Sequence, residues 1–287
     1  MAKGNRMSDK QEQLPVKQST QMPAMPDFMK GTAGRGIEGI DSSDIETPRL
    51  LLLQLTSSQV TDYEEARPGL YWHNMLNEII GDKTGFIGVI IHVDKRAILW
   101  RNKAPVDTGG ILARSDDLKT WNPSNAVFDD VKLRNGKVVT WKTRSSVASS
   151  GLLEWGSSDR ADPNSQPAAT LMINTVMAFP DYPHIPPAVF SFQRSSAKVS
   201  RRLMGRLTLM PCASYGVRFR FGSDLVDVGG NKFYVPNFEP IGFIENQDEF
   251  RRYEELSNAL KASGIKMREE QDDSETIDGE AANSPEY

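Results

Sequence analysis

The 287-residue chain reads as a β-rich α+β fold: an elaborated OB-like barrel with a basic amphipathic helix and a C-terminal helix, between disordered termini. Three observations predict this. Short runs of β-branched and aromatic residues recur between turn signals from Pro68 to Phe238, a spacing suited to a barrel or sandwich. The stretch Ala188–Gly222 reads strand, helix, strand (AVFSF, QRSSAKVSRRLMGRL, VRFRF). Wound at 100° per residue, its middle segment gathers Arg194, Lys198, Arg201, Arg202 and Arg206 on one side, with Ala197, Val199, Leu203, Met204 and Leu207 on the other. Finally, both ends of the chain are polar and show no periodicity, so three regions are expected: a disordered arm over 1–44, one β-rich domain over 45–264 and an acidic disordered tail over 265–287.

The elements follow in order. Gly31–Gly36 looks like a phosphate loop but has no strand before it and no Gly-Lys-Ser/Thr ending, so it reads as linker. Arg49–Leu55 is an apolar run suited to a strand or a buried helical turn. After the Pro68-Gly69 turn, Leu70–Trp72 is a short strand, Gly85–Val93 a second and Lys95–Arg101 a third. Asn135-Gly136 between Val131–Leu133 and Val138–Trp141 is a hairpin signal. Ser157–Pro167 is a polar loop, and Ala168–Phe179 is apolar enough for a central strand. Beyond VRFRF, Gly229-Gly230 turns the chain into Lys232–Phe238. Asn246 and Glu249 predict a capping box for a helix from Gln247 to Ser263, with Phe250, Tyr253, Leu256 and Leu260 as its docking stripe and Gly264 as its end.

A hydrophobic fraction of 38% against 25% charged residues fits a globular protein, and no apolar run approaches the ~20 residues of a membrane span. No membrane partner is expected, and the charged N-terminus has no apolar stretch behind it to make a signal peptide. The net charge of −4 conceals an asymmetry. Eight acids and no base lie between Glu269 and Tyr287; without them, 30 of the 38 acids face all 34 lysines and arginines, and the body is positive.

Enzymatic readings find little support. Cys212 is the lone cysteine, and with His73, His92 and His184 it makes no zinc spacing; no metal or other cofactor is expected. No G-x-S-x-G elbow occurs, and the adjacent pairs Asp116-Asp117 and Asp129-Asp130 would face opposite ways in a strand, which leaves them solvating loops. The predicted role is therefore binding, not catalysis. Single-stranded nucleic acid is held by cations along the phosphates and by aromatic rings under the bases. The helix supplies the first through Arg194, Lys198, Arg201, Arg202 and Arg206, and Arg218 and Arg220 of VRFRF are expected to extend the track. Alternation turns Phe219 and Phe221 toward the core, so Trp121, Trp141 and Trp155, near loops, are the stacking candidates. The acidic tail is expected to compete with DNA for this patch and to recruit replication or recombination proteins. Self-association is left open.

The chain resembles a family of uncharacterised tailed-bacteriophage proteins through Asp44–Leu50 with Leu53-Gln54, Ile111–Asp117, Gly151–Ser158, Asp162–Ser165 and Phe192–Val199. That resemblance brings no assigned fold and no catalytic residue. In layout the chain is similar to phage single-stranded DNA-binding proteins built on an OB-fold. This likeness implies sequence-independent binding of single-stranded DNA in phage replication or recombination, in the host cytoplasm. The tail departs from that layout by its Gly279, Ala281, Ala282 and Asn283 and by its terminal Tyr287. Two other roles compete: a virion or scaffold-type module whose helix docks an acidic protein, and a nuclease or nuclease accessory factor.

Overall fold

The structure is a computed structural model that describes residues 47–101, 110–122, 127–132, 138–142, 146–157 and 162–263. All of them belong to one structural unit, Asp41–Tyr287. The first half of the chain forms β1 (Leu50–Leu52), α1 (Ser58–Asp62), β2 (Tyr71–His73), β3 (Glu78–Ile80), β4 (Phe86–Arg101), β5 (Gly110–Ser115), β6 (Val127–Lys132) and β7 (Val138–Lys142). The second half forms α2 (Val147–Ser150), β8 (Ala169–Ala178), β9 (Ala188–Phe192), α3 (Ala197–Leu209), β10 (Val217–Val228), β11 (Asn231–Phe243) and α4 (Gln247–Ser263). The N-terminal arm and the acidic tail lie outside the described residues.

β4 organises the rest. On one side it pairs with β10 through Phe86–Val89 and with β5 through Ala97–Arg101; on the other it pairs with β8 from Val89 to Leu99. β8 also carries β9, so it is a central strand, and its almost unbroken apolar sequence fits burial on both faces. The two strands expected over 85–101 are thus one. A bulge between Ile90 and His92 absorbs the irregularity while pairing to β8 continues through Asp94 and Lys95. Gly85 precedes β4 at φ 97°, and a Cβ there would lie 2.0 Å from the Phe221 carbonyl oxygen, so only glycine lets β10 approach so closely. The β10–β11 hairpin closes through Gly229 and Gly230, both at positive φ, between the paired Val228 and Asn231. Asn135-Gly136 lies outside the described residues, but the strands it was expected to join, β6 and β7, do pair antiparallel.

The main sheet runs β11-β10-β4-β8-β9, with β5 beside β4, and is antiparallel throughout. Among the described residues no ladder closes it into a barrel. Instead the small sheet β1-β2-β3 stands between its two edges. At one edge Arg49 bridges Val189, and the Val189 amide donates to the Pro48 carbonyl (2.8 Å). At the other, the Gln54 carboxamide accepts from the Tyr234 amide (2.8 Å) and donates to the Tyr234 carbonyl (3.1 Å), pairing with β11 as a strand would. Pro236 and Pro240 remove two further donors from that edge. Only Leu50–Leu52 of the expected 49–55 run is extended, because the chain turns at Gln54 to make these bonds.

The two faces of the sheet bury different clusters. On one, Ile90, Ile173, Met177, Phe190, Phe192, Val217, Phe219 and Phe221 join Leu50, Leu52, Tyr71 and Ile80 from the small sheet, and α3 closes the cluster with Leu203. On the other, Val89, Ile91, Val176, Ala178 and Val189 take Tyr253 of α4, with Leu256 and Leu260 beside it. Farther along β4, on the α3 face, Ala97, Leu99, Ala113 and Ala169 pack with Trp121, Val147 and Leu152.

Candidate nucleic-acid interface

α3 is placed by its two ends. Before it, Gln193 and Ser196 form a reciprocal capping box: the Gln193 amide donates to Ser196 Oγ (2.8 Å), and Arg194 between them adopts a left-handed φ of 47°. After it, Met210 is extended because Pro211 follows. The inner side buries Leu203 and Ser200 fully and Val199, Met204 and Leu207 partly, and the Ser200 hydroxyl is satisfied by the Ala197 carbonyl (2.8 Å). Lys198, Arg201, Arg202 and Arg206 are exposed on α3, as the periodicity predicts; Arg194, also exposed, stands before the helix in the capping turn, because its left-handed φ breaks the winding that was expected to carry it onto the same face. Lys198, Arg202 and Arg206 recur every four residues, a row with ~6 Å between successive cations along the axis. Among the described residues none of the five stands within ion-pair distance of a carboxylate. The sequence explains why: residues 182–223 contain seven lysines and arginines and no acid.

Arg218 and Arg220 do not extend this row. Val217, Phe219 and Phe221 point into the α3 cluster, so alternation sends the two arginines through to the opposite face. There Arg218 binds Glu249 of α4 at 2.7 Å, and Arg220 pairs with Glu239, its register partner on β11, at 3.6 Å. The sheet itself separates them from α3.

The three tryptophans also divide. Trp121 is 1% exposed in the cluster beneath α2 and offers no ring face to a base. A loop position suggested access, but the chain at Trp121 folds onto Ala97 and Leu99 through the Arg114–Asn122 backbone pair. The Trp141 side chain lies outside the described residues. Trp155 is 68% exposed on a loop fixed to the start of β8: the Ala169 amide donates to the Leu152 carbonyl (2.9 Å) and the Ala168 amide to Ser157 Oγ (2.9 Å). Of the two whose side chains are described, Trp155 is the one with an open ring on a held backbone.

Two residues on the α3 face escaped the sequence reading. Lys95 shares its side of β4 with Val93, Ala97 and Leu99, and Leu171 shares its side of β8 with Ala169 and Ile173; both are exposed, Leu171 by 42%. The signal was a lysine at an inward position of an otherwise apolar alternation.

The acids serve structure. Arg96, buried on the α4 face, holds Asp94 at 2.9 Å and Asp116 at 3.6 Å. Asp117 accepts from the Lys119 and Thr120 amides (2.8 and 2.9 Å), which hold its carboxyl well below the usual range. Asp116 and Asp117 are therefore not free loop solvators. The side chains of Asp129 and Asp130 lie outside the described residues. Among the described residues no three His, Cys, Asp or Glu side chains gather to hold a metal ion, and no helix is long and apolar enough to cross a membrane.

Comparison with known families decides the chain's kinship: the model of the Pam3 phage gp34-like protein family matches residues 16–266. The chain belongs to that bacteriophage family. No curated protein and no solved structure matches it. The gp34-like match spans every described element, α3 and its capping box included.

Proposed function

We propose that this gp34-like protein binds single-stranded DNA without sequence preference during phage DNA replication or recombination, and that α3 is its phosphate-binding element. The observation that carries the reading is the set of four exposed cations, unpaired among the described residues, on a helix whose opposite side is locked into the core, with Arg194 exposed in the turn that leads into it. Rigid mounting matters because a held cation loses little side-chain freedom on binding, whereas a floppy one loses more. Lys198, Arg201, Arg202 and Arg206 on α3 and Arg194 just before it would contact phosphates; Arg218 and Arg220, engaged on the far face, are no longer assigned. The wall behind the helix is an antiparallel sheet, with the gap between its edges spanned by β1–β3 and the Gln54 carboxamide; an OB-like arrangement of these strands is part of the proposal. The acidic tail would compete for the same cations and recruit replication proteins.

The competing reading, a virion or scaffold module docking an acidic protein on α3, draws on Leu209, which is 83% exposed at the end of the helix. A mobility shift with labelled single-stranded and double-stranded oligonucleotides separates the two. Preferential retardation of the single strand supports the proposal; no retardation of either refutes it. Magnesium-dependent loss of the oligonucleotide in the same reaction would show a nuclease instead.

A further inference from the structure

The α3 face of the sheet does not end at α3. β9 leaves β8 at the Phe192–Ile173 pair, and the chain turns at once through Arg194 into the helix. β4 and β8 run on together to Leu99 and Ala169, where the Trp155 loop is bound. Between helix and loop, β8 has lost its β9 neighbour, and on this face Lys95 and Leu171 stand exposed beside the buried Ala97. From Ile173 to Ala169 is four residues, ~13 Å of strand. This strip thus has cations at one end (Arg194, Lys198), one cation and one apolar side chain on its floor, and an open indole at the other end. The nearest acid in sequence to that indole, Glu154, lies back over Gly151, its Oε2 3.7 Å from where a Cβ there would stand.

Resting on the proposed DNA-binding function, we infer that the bound single strand leaves α3 along this strip, its backbone passing Lys95, Leu171 against a sugar or base, and a base stacked on Trp155. The chemistry recognised is that of a single-stranded polynucleotide: alternating anionic and planar apolar groups meet alternating cationic and apolar or aromatic side chains. A duplex, with its bases enclosed, offers nothing to Trp155. An acidic peptide would engage the cations and leave the indole unused.

The test uses the full chain and a fluorescently labelled oligothymidylate followed by anisotropy. Four proteins are compared with the wild type: Trp155→Ala, Lys95→Ala, Arg220→Ala and the double variant Arg201→Glu/Arg202→Glu. Trp155 and Lys95 are exposed, so their removal leaves the fold intact, which circular dichroism checks. Trp155→Ala is expected to weaken binding about ten-fold. Lys95→Ala should reduce the magnitude of the slope of log affinity against log salt by about 0.7, the loss of one phosphate contact. Arg220→Ala, on the other face, should match the wild type in both. If the wild type binds and the double reversal does not, yet Trp155→Ala or Lys95→Ala behaves as wild type, the path is overturned while α3 keeps its role. If the wild type itself does not bind, both readings fall.

Discussion

At the residue scale, side chains that serve as substitutes for backbone decide much of the architecture. The Gln54 carboxamide meets both the amide and the carbonyl of Tyr234 and so ends the β11 edge. Gln54→Ala would leave both groups without that partner and is expected to cost about 1–3 kcal/mol, read from urea denaturation; an unchanged midpoint would mean water replaces the amide fully. His73 is buried, and desolvation lowers its pKa, so the folded protein holds it neutral, with Nδ1 accepting from the Leu76 amide (3.3 Å). The unfolded chain binds the proton first as pH falls. Stability is therefore intact above about pH 6.5 and lost progressively below it. His73→Gln is expected to flatten the melting temperature between about pH 7 and pH 5; a profile parallel to wild type would contradict this assignment. Neither role was legible in the sequence, because Gln54 acts on a residue 180 positions away and His73 is closed in by several elements.

At the element scale, the sequence was most readable where one periodicity governs a whole segment. α4 runs from Gln247 to Ser263 as expected, and Asn246 Oδ1 accepts from the Asp248 and Glu249 amides (2.8 and 3.1 Å). The capping box is only half the expected one, because Glu249 turns to Arg218 (2.7 Å) and to the Tyr253 hydroxyl (3.2 Å). Arg218→Ala is accordingly a docking variant of α4: about 1 kcal/mol of stability lost, given that a third of the side chain is exposed, with DNA affinity unchanged. A fall in affinity at constant stability would return Arg218 to the interface. α3 shows the opposite dependence. Leu203→Ala, at a site with no exposure, is expected to cost about 2–5 kcal/mol and to release the cation row, lowering stability and DNA affinity together. Strand ends were less readable, since β4 is continued through Asp94 and Lys95 by its partner β8 and not by its own propensity.

At the scale of the whole molecule, two faces of one sheet carry two charge arrangements. The α4 face is one of closed pairs, Arg218 with Glu249, Arg220 with Glu239 and Arg96 with Asp94 and Asp116. The α3 face carries cations left open among the described residues. Alternation along VRFRF was visible from the sequence, but which face each set would join was not, because that depends on where the two helices dock. The acidic tail belongs to this scale too: deleting 269–287 is expected to tighten single-stranded DNA binding at low salt, and a truncated chain that binds no better would remove the competition. The most direct test of the account is the salt dependence of single-stranded DNA affinity, measured for the wild type and for Arg201→Glu/Arg202→Glu. Five or six phosphate contacts predict a slope of about −4 in log affinity against log salt for the wild type, and loss of binding in a variant that keeps its fold. A wild-type slope near zero, or a reversed helix that binds as well as the original, would contradict it.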